Sequence, residues 1–461
     1  MYSKLLEMCG FDPQEITKEK DRIEKTFKIL GMGEKEFAAA EKRVKQLYSI
    51  ELPCVRMMLK VWIKELIALV MAGEEKEKIV YAIMPSPAES YLAAMLASDK
   101  LYVGYPDYVF QIGLGAIFGN LTPLLEAAEK NGMPPGGGHC GLNKTRLGAH
   151  ALGIIPKGDL SMAWGIVCDE GPKTDELIHE VFDTPIVYLD RCQDDPLDLF
   201  PEINELTVDY MVGEIKRAYA QFAEVSGVEI TNELVMKAVG TLLGYMEWLG
   251  KVQELMRSDP LPLSQADMIL FIMVTQLCIR DYETATEAVK MLHEEVAQRV
   301  KDKRGVLPEG APRVLWGNHF PLPDPGIVKM VEEIGIASPL SEIWYITTQP
   351  PTKLYDDPVE TIARRFLELG LLTSVTGRAK DVVRLFKNWN LDGILWFNHS
   401  PCKVIGTDSL MIKKALKKEL KVPIIVVEGD IYDSRFYNRQ QMKTRVESFA
   451  EMFKTNKKGI R

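Results

Sequence analysis

Residues 391–429 read LDGILWFNHSPCKVIGTDSLMIKKALKKELKVPIIVVEG, and this stretch decides the fold. Two short apolar runs, LDGILWFN (391–398) and VPIIVVEG (422–429), flank an amphipathic segment, SLMIKKALKKEL. Apolar runs this short and continuous predict strands buried on both faces, and the segment between them predicts a helix. Strand, helix, strand in that order is the unit of a parallel sheet. The unit recurs upstream. LSMAWGIVC (160–168) and TPIVYLD (184–190) flank KTDELIHEVF, and KIVYAIMP (78–85) opens the same texture. RVLWGN (313–318) and SEIWYITT (341–348) are further strand candidates. Helical segments separate them: PGIVKMVEEIG, PVETIARRFLEL and AKDVVRLFKNW. Residues 205–304 read as mostly helical, with LVMKAVGTLLGYMEWLGKVQELM as the clearest case. Residues 1–78 are charged and helix-rich, with amphipathic stretches over about 14–48 and 53–73. The expected fold is α/β. Two Rossmann- or flavodoxin-like parallel-sheet domains (79–204 and 311–461) are joined by a helical section (205–310) and preceded by a helical extension (1–78).

The bulk composition narrows the function classes. The chain has 461 residues, 46% hydrophobic and 26% charged, with a net charge of −9. That charge disfavours nonspecific nucleic-acid binding. No apolar run reaches the roughly 20 residues that span a bilayer, and the first residues lack a signal-peptide pattern. A cytoplasmic location with no membrane partner is expected. Seven cysteines in such a setting are reduced thiols or ligands more often than disulfides.

Three of the seven share a context. Cys140 lies in GGGHCGLNKTR, Cys168 in WGIVCDEGPKTDE and Cys402 in FNHSPCKVIGTD. Each stands where a strand or loop is expected to meet a helix, the edge at which parallel sheets bind ligands. Three converging thiolates can hold three corners of an iron–sulfur cube. A lone cysteine beside glycines is more often a small residue in a turn, and the shared context is what raises these three. Cys278, in MVTQLCIRDY, reads as core. Cys54 follows a proline at a helix start and reads as structural, Cys9 lies near a terminus, and Cys192 is ambiguous. No C-x-x-C or H-E-x-x-H occurs, which disfavours a zinc ribbon, a dithiol or a zincin. PPGGGHCGLNKT lacks the Gly-Lys-Ser/Thr of a phosphate loop. His139 and His399, beside two of the cysteines, could donate to a cluster sulfur or a substrate carbonyl, or be satisfied structural histidines. Asp430, Asp433 and Arg435 crowd the loop after the last strand, as a salt-bridged cap or the polar rim of a site between subunits.

In these segments the chain resembles the 2-hydroxyacyl-CoA dehydratase and benzoyl-CoA reductase family, which includes the 2-hydroxyglutaryl-CoA dehydratase D-component. Over 391–453 the family's Gly-Asp turn, Asp-Pro-Arg, Gln and Thr-Arg correspond to Gly429–Asp430, Asp433-Ser434-Arg435, Gln441 and Thr444–Arg445, with serine in place of the proline. CGLNKTR and GIVCDEGPKTDELI resemble its first two cysteine segments, and PSPAESYLAA followed by YVGYPD its opening domain. The resemblance covers about 80–461 and is loosest in the helical middle. It implies two α/β domains and a 4Fe-4S cluster on Cys140, Cys168 and Cys402. It implies a separate ATP-hydrolysing iron–sulfur activator, and a second subunit that is a homologue or a second copy. The substrate would be a CoA thioester, reduced to a ketyl radical that expels the C2 hydroxyl in the dehydratases. A low-potential reductase of the benzoyl-CoA type, and an electron-relay or scaffold subunit, remain alternatives. A related double-cubane branch needs more ligand cysteines than the three with the right contexts, which favours a single cubane. The acidic residue beside the Tyr-Pro turn is Asp107, where the family has glutamate. Its serine partner is not clearly in place, Ser86 being nearest, and His399 completes the catalytic candidates. Arg146, Lys173, Lys403 and Arg435 follow the cysteines or strands closely and are candidates for the phosphates of CoA.

Overall fold

The computed structural model describes residues 2–82, 87–136, 138–165, 168, 170–190, 202–369, 374–406 and 409–458. Ser86 and Cys192 lie outside them.

Among the described residues, eight strands form two four-stranded sheets. β1 (Lys78–Ala82), β2 (Leu101–Gly104), β3 (Leu160–Trp164) and β4 (Ile186–Leu189) make the first. β5 (Arg313–Gly317), β6 (Ala337–Ser341), β7 (Gly393–His399) and β8 (Ile424–Gly429) make the second. The orders are β2-β1-β3-β4 and β6-β5-β7-β8, every pairing parallel. Each half is therefore wound the same way, and each reverses direction between its first and third strands. The crevice for a ligand in such a sheet lies at the carboxyl ends of those two strands. In the second sheet, β5 and the apolar run of β7 are wholly buried because helices cover both faces, whereas the edge strand β8 is only partly buried.

One expected strand is a helix. SEIWYITT is instead the end of β6 followed by the helix Glu342–Thr347. The strand is formed by the residues before it, ASPLS. β-branched content suggested extension, but Ile343, Trp344 and Thr347 recur at helical spacing and all three are buried. β2 was also missed, as a four-residue edge strand too short to show alternation.

The N-terminal helices pack into a core continuous with both sheets. The helix Pro53–Glu75 is buried along most of its length, and Trp62 Nε1 donates to Leu270 O at 2.9 Å. Arg43 reaches both halves, donating to Ala116 O (2.8 Å) and Pro323 O (2.6 Å). No described helix is long and apolar enough to cross a membrane.

Candidate functional site

A cleft of about 1100 Å³, its open mouth included, is lined by Cys140, Cys168 and Cys402. All three stand at helix starts. Cys140 is the N-cap of the helix Gly141–Ala151. Cys168 precedes the helix Glu170–Phe182 by two residues, and Cys402 directly precedes the short helix Lys403–Gly406. Cys168 lies beyond β3 and Cys402 beyond β7, each the third strand of its sheet. The winding of the two sheets thus brings distant cysteines to one place.

Two of the thiols are desolvated. Burial pushes Cys140 well above the usual thiol range, and Cys168 up to about 12 with a further push from Cys402. Cys168 Sγ accepts from Gly171 N–H at 3.2 Å, and burial outweighs that bond. Buried thiols beside a third, partly buried one gain most from a cation that holds them as thiolates. An all-sulfur set of this kind suits iron–sulfur chemistry rather than a hard cation. Cys140, Cys168 and Cys402 would be its holders.

His399 adjoins them. Ile431 N–H donates to His399 Nδ1 (3.3 Å), which leaves the ring proton on Nε2, 3.4 Å from Cys140 Sγ. Burial, aided by His319, lowers the His399 pKa to about 3, so the ring is neutral. Ligand atoms of Cys140, His399 and Asp430 lie within 4.8 Å of one another. The Asp430 carboxylate is already committed, accepting from Gly141 N–H (2.7 Å) and Tyr432 N–H (2.8 Å). Burial raises its pKa to about 7. Glu170 accepts from Cys140 N–H (2.8 Å) and stands 3.3 Å from His139 Nδ1.

Gly141 joins the two halves. A Cβ there would lie 2.8 Å from the Tyr432 carbonyl and 2.9 Å from Asp433 Cβ. Only glycine lets the helix start approach the 430–433 loop this closely.

Among the cleft residues that escaped the sequence reading, three form one hydrogen-bonded chain. Tyr108 and Tyr432 are hydrogen-bonded through their hydroxyls (2.8 Å), and Tyr432 bonds His319 Nε2 (3.0 Å). His319 Nδ1 faces Phe320 O at 2.9 Å and so carries the proton. The chain runs Tyr108 to Tyr432 to His319, each hydroxyl donating onward. One signal was available: GNH after β5 stands at the same topological position as the NHSPC that closes β7.

The other candidates sit elsewhere. Asp107 is fully buried and does not line the cleft; burial lifts its pKa to about 7 despite the nearby Arg146. Arg146 is itself buried, 3.2 Å from Asp175, and donates to Gly171 O. It braces the segment after Cys168 from within. Arg435 is paired with Asp433 (2.7 Å) and Glu129 (2.6 Å). Lys173 is exposed and pairs with Glu176 along its own helix. Of the four basic candidates, Lys403 lines the cleft.

Known relatives share this chain's sequence at low identity. It is 21% identical over 310 residues to the alpha subunit of (R)-2-hydroxyglutaryl-CoA dehydratase of Acidaminococcus fermentans, covering 66% of this chain and 63% of that protein, less than two thirds of its length. It is 22% identical over 408 residues to the (R)-phenyllactyl-CoA dehydratase alpha subunit of Clostridium sporogenes, covering 84% and 92%. With a benzoyl-CoA reductase subunit of Thauera aromatica it shares 21% over 326 residues, covering 66% and 72%. The family described as 2-hydroxyglutaryl-CoA dehydratase, D-component, matches residues 84–453, and the chain belongs to that family of dehydratase and reductase subunits.

Proposed function

We propose that the chain is the iron–sulfur catalytic subunit of a radical 2-hydroxyacyl-CoA dehydratase. The observation that carries this is the convergence of Cys140, Cys168 and Cys402, from both sheets, on one cleft. A 4Fe-4S cluster held there supplies low-potential electron transfer and a Lewis-acidic iron. The substrate's thioester takes up one electron, hydroxide leaves C2, a proton leaves C3, and the electron is returned. The net change is loss of water.

The protein's own groups have definable parts in this. His399 directs a neutral N–H at Cys140 Sγ, which stabilises thiolate charge without adding a proton. The Tyr108–Tyr432–His319 chain holds its hydroxyls in fixed directions beside the cysteines. Ile343, Trp344 and Phe366, which also line the cleft, limit the access of water to the reacting thioester. The family resemblance implies that a separate ATP-hydrolysing partner delivers the electron. Three relatives named as dehydratase subunits and one as a reductase subunit support a partnered assembly with a second, homologous or identical, subunit.

The test is anoxic iron analysis followed by turnover. Protein purified without oxygen should be brown and hold about four irons per chain. Cys140→Ser, Cys168→Ser and Cys402→Ser should each abolish that iron, while Cys278→Ser, a core substitution, should keep it. Water elimination from a 2-hydroxyacyl-CoA should require ATP and the activator. Iron-free protein after careful reconstitution, or turnover with NADH alone, would overturn the proposal.

A further inference from the structure

Another part of the cleft's lining differs in kind from the cysteines. It is built from the helices Glu342–Thr347 and Pro358–Leu367 and the turn Met273–Thr275. Ile343, Trp344 and Thr347 project from one face of the first helix by their i, i+1, i+4 spacing. Phe366 and Leu369 continue the apolar surface. Trp344 packs on His319 with ring centroids 4.5 Å apart, and His319 packs on Tyr432 at 5.3 Å. Trp344 is thus joined to the cysteine side by a continuous row of rings.

The hydroxyls and the guanidinium of this wall are bonded within the protein, and the Trp344 indole N–H is buried without a hydrogen-bond partner. Thr347 Oγ1 donates to Ile343 O (2.8 Å) and Thr275 Oγ1 to Ile272 O (2.9 Å). Gln276 Nε2 donates to Thr275 Oγ1 (2.8 Å) and Thr347 O (3.3 Å). Arg365 is the wall's cation. It donates to Glu89 Oε1 (2.6 Å), Thr347 O (3.0 Å) and Gln349 O (3.5 Å). Its ion pair with Glu89 is buried, so the wall's cation is already neutralised. Lys403, the other basic residue on the cleft among those described, follows Cys402 and already interacts with another group.

We infer that the acyl group is neutral and apolar, with the bulk of an aromatic ring or a branched aliphatic chain, and that Trp344 and Phe366 select it. This rests on the CoA-thioester reading above. A carboxylate at the far end of the acyl chain would be stripped of water against satisfied hydroxyls and an arginine already neutralised by Glu89. A ring or branched chain instead buries its surface on two aromatic side chains.

Calorimetric titration of the anoxic, iron-loaded full chain tests this by binding alone. The probes are 2-hydroxy-3-phenylpropanoyl-CoA, 2-hydroxy-4-methylpentanoyl-CoA, 2-hydroxyglutaryl-CoA and free CoA. The first two should bind at least about tenfold more tightly than the third. Trp344→Ala and Phe366→Ala should each weaken the phenyl thioester about tenfold and 2-hydroxyglutaryl-CoA less than threefold. Trp344→Leu, which keeps apolar volume, serves if the alanine variant does not fold. If 2-hydroxyglutaryl-CoA binds as tightly as the phenyl thioester, the acyl inference falls and the CoA reading stands. If none of the four binds, both fall.

Discussion

The two halves of the molecule are wound alike and contribute differently to the cleft. The first half brings two cysteines, and it turns its charges inward: Arg146 sits buried among Asp175 and Asp107, and Lys144 beside Glu129. The second half brings one cysteine together with the neutral hydrogen-bonding groups, His319, His399 and Tyr432. The second half has a buried ion pair of its own, Arg378 with Glu342, so the contrast lies at the cleft: the first half keeps Arg146 and Lys144 paired away from it, and the second supplies most of its neutral polar groups. Each prediction below breaks or sharpens that contrast.

The largest effect is expected from Arg146→Met. It leaves Asp107 and Asp175 buried without their cation, a change that costs about 3–5 kcal/mol when a buried pair is broken. The two carboxyls already titrate high, at about 7 and about 6, both through burial. They can shed the uncompensated charge by protonating, so the loss should be smaller at pH 5 than at pH 8. Chemical denaturation at the two pH values checks this. A loss below about 1 kcal/mol at both would mean that the first half is not braced ionically.

Gly141→Ala attacks the seam between the halves. The new methyl meets the Tyr432 carbonyl and Asp433, and overpacking of this kind costs about 1–3 kcal/mol. The same backbone N–H donates to Asp430, so a shift of this helix start also moves Cys140. Iron affinity should fall along with stability. A variant that loses stability but holds iron as tightly as the parent would show that the seam and the site are independent.

The sequence disclosed the parts of this arrangement that local chemistry controls. Cys140, Cys168 and Cys402 were recognisable because glycine, proline and capping residues surround them at predicted strand–helix junctions. The parallel sheets were legible because β5 and β7, covered on both faces, read as continuous apolar runs. His319, Tyr108 and Tyr432 were not recognised, because an aromatic or histidine next to apolar residues looks the same whether it lines a cleft or fills a core. SEIWYITT was misread because its local preference favoured extension while its buried face had helical spacing. Arg146 and Arg435 read equally as candidates for the phosphates of CoA or as partners of nearby acids; Arg435 does pair with Asp433, while the sequence could not show that Asp175 and Glu129 fold back to meet the two arginines.

His150 offers a finer probe of the first half. It is buried between Tyr81 and Phe182, and burial, aided by the positive charge of Arg146, lowers its pKa to about 3. The unfolded chain takes up that proton near the usual 6.5. Below that pH the unfolded state binds more protons, so this contribution to stability is complete above about 6.5 and is lost progressively as pH falls towards 3. Between pH 8 and pH 5 the loss is about 2 kcal/mol. His150→Leu should remove that part of the slope. Parallel stability curves for parent and variant over this range would show that His150 titrates alike in both states.

The smallest effect separates the surface charges of the two halves. Lys403 lines the cleft beside Cys402, whereas Lys173 is exposed and paired along its own helix. CoA carries its charge on phosphates far from the reacting carbon, so a lysine that holds them binds ground state and transition state equally. Its loss then raises KM and leaves kcat unchanged. In the activated complex, Lys403→Ala should raise KM for the thioester by about threefold, or ~0.7 kcal/mol. The modest size follows from Lys403 already having a protein partner. Lys173→Ala should change KM less than twofold, because an exposed pair within a helix contributes only about 0.3–0.5 kcal/mol to stability and none of it to a ligand in the cleft. The reverse order, with Lys173 the more sensitive, would place the CoA phosphates on the first half and dissolve the division of labour between the two sheets.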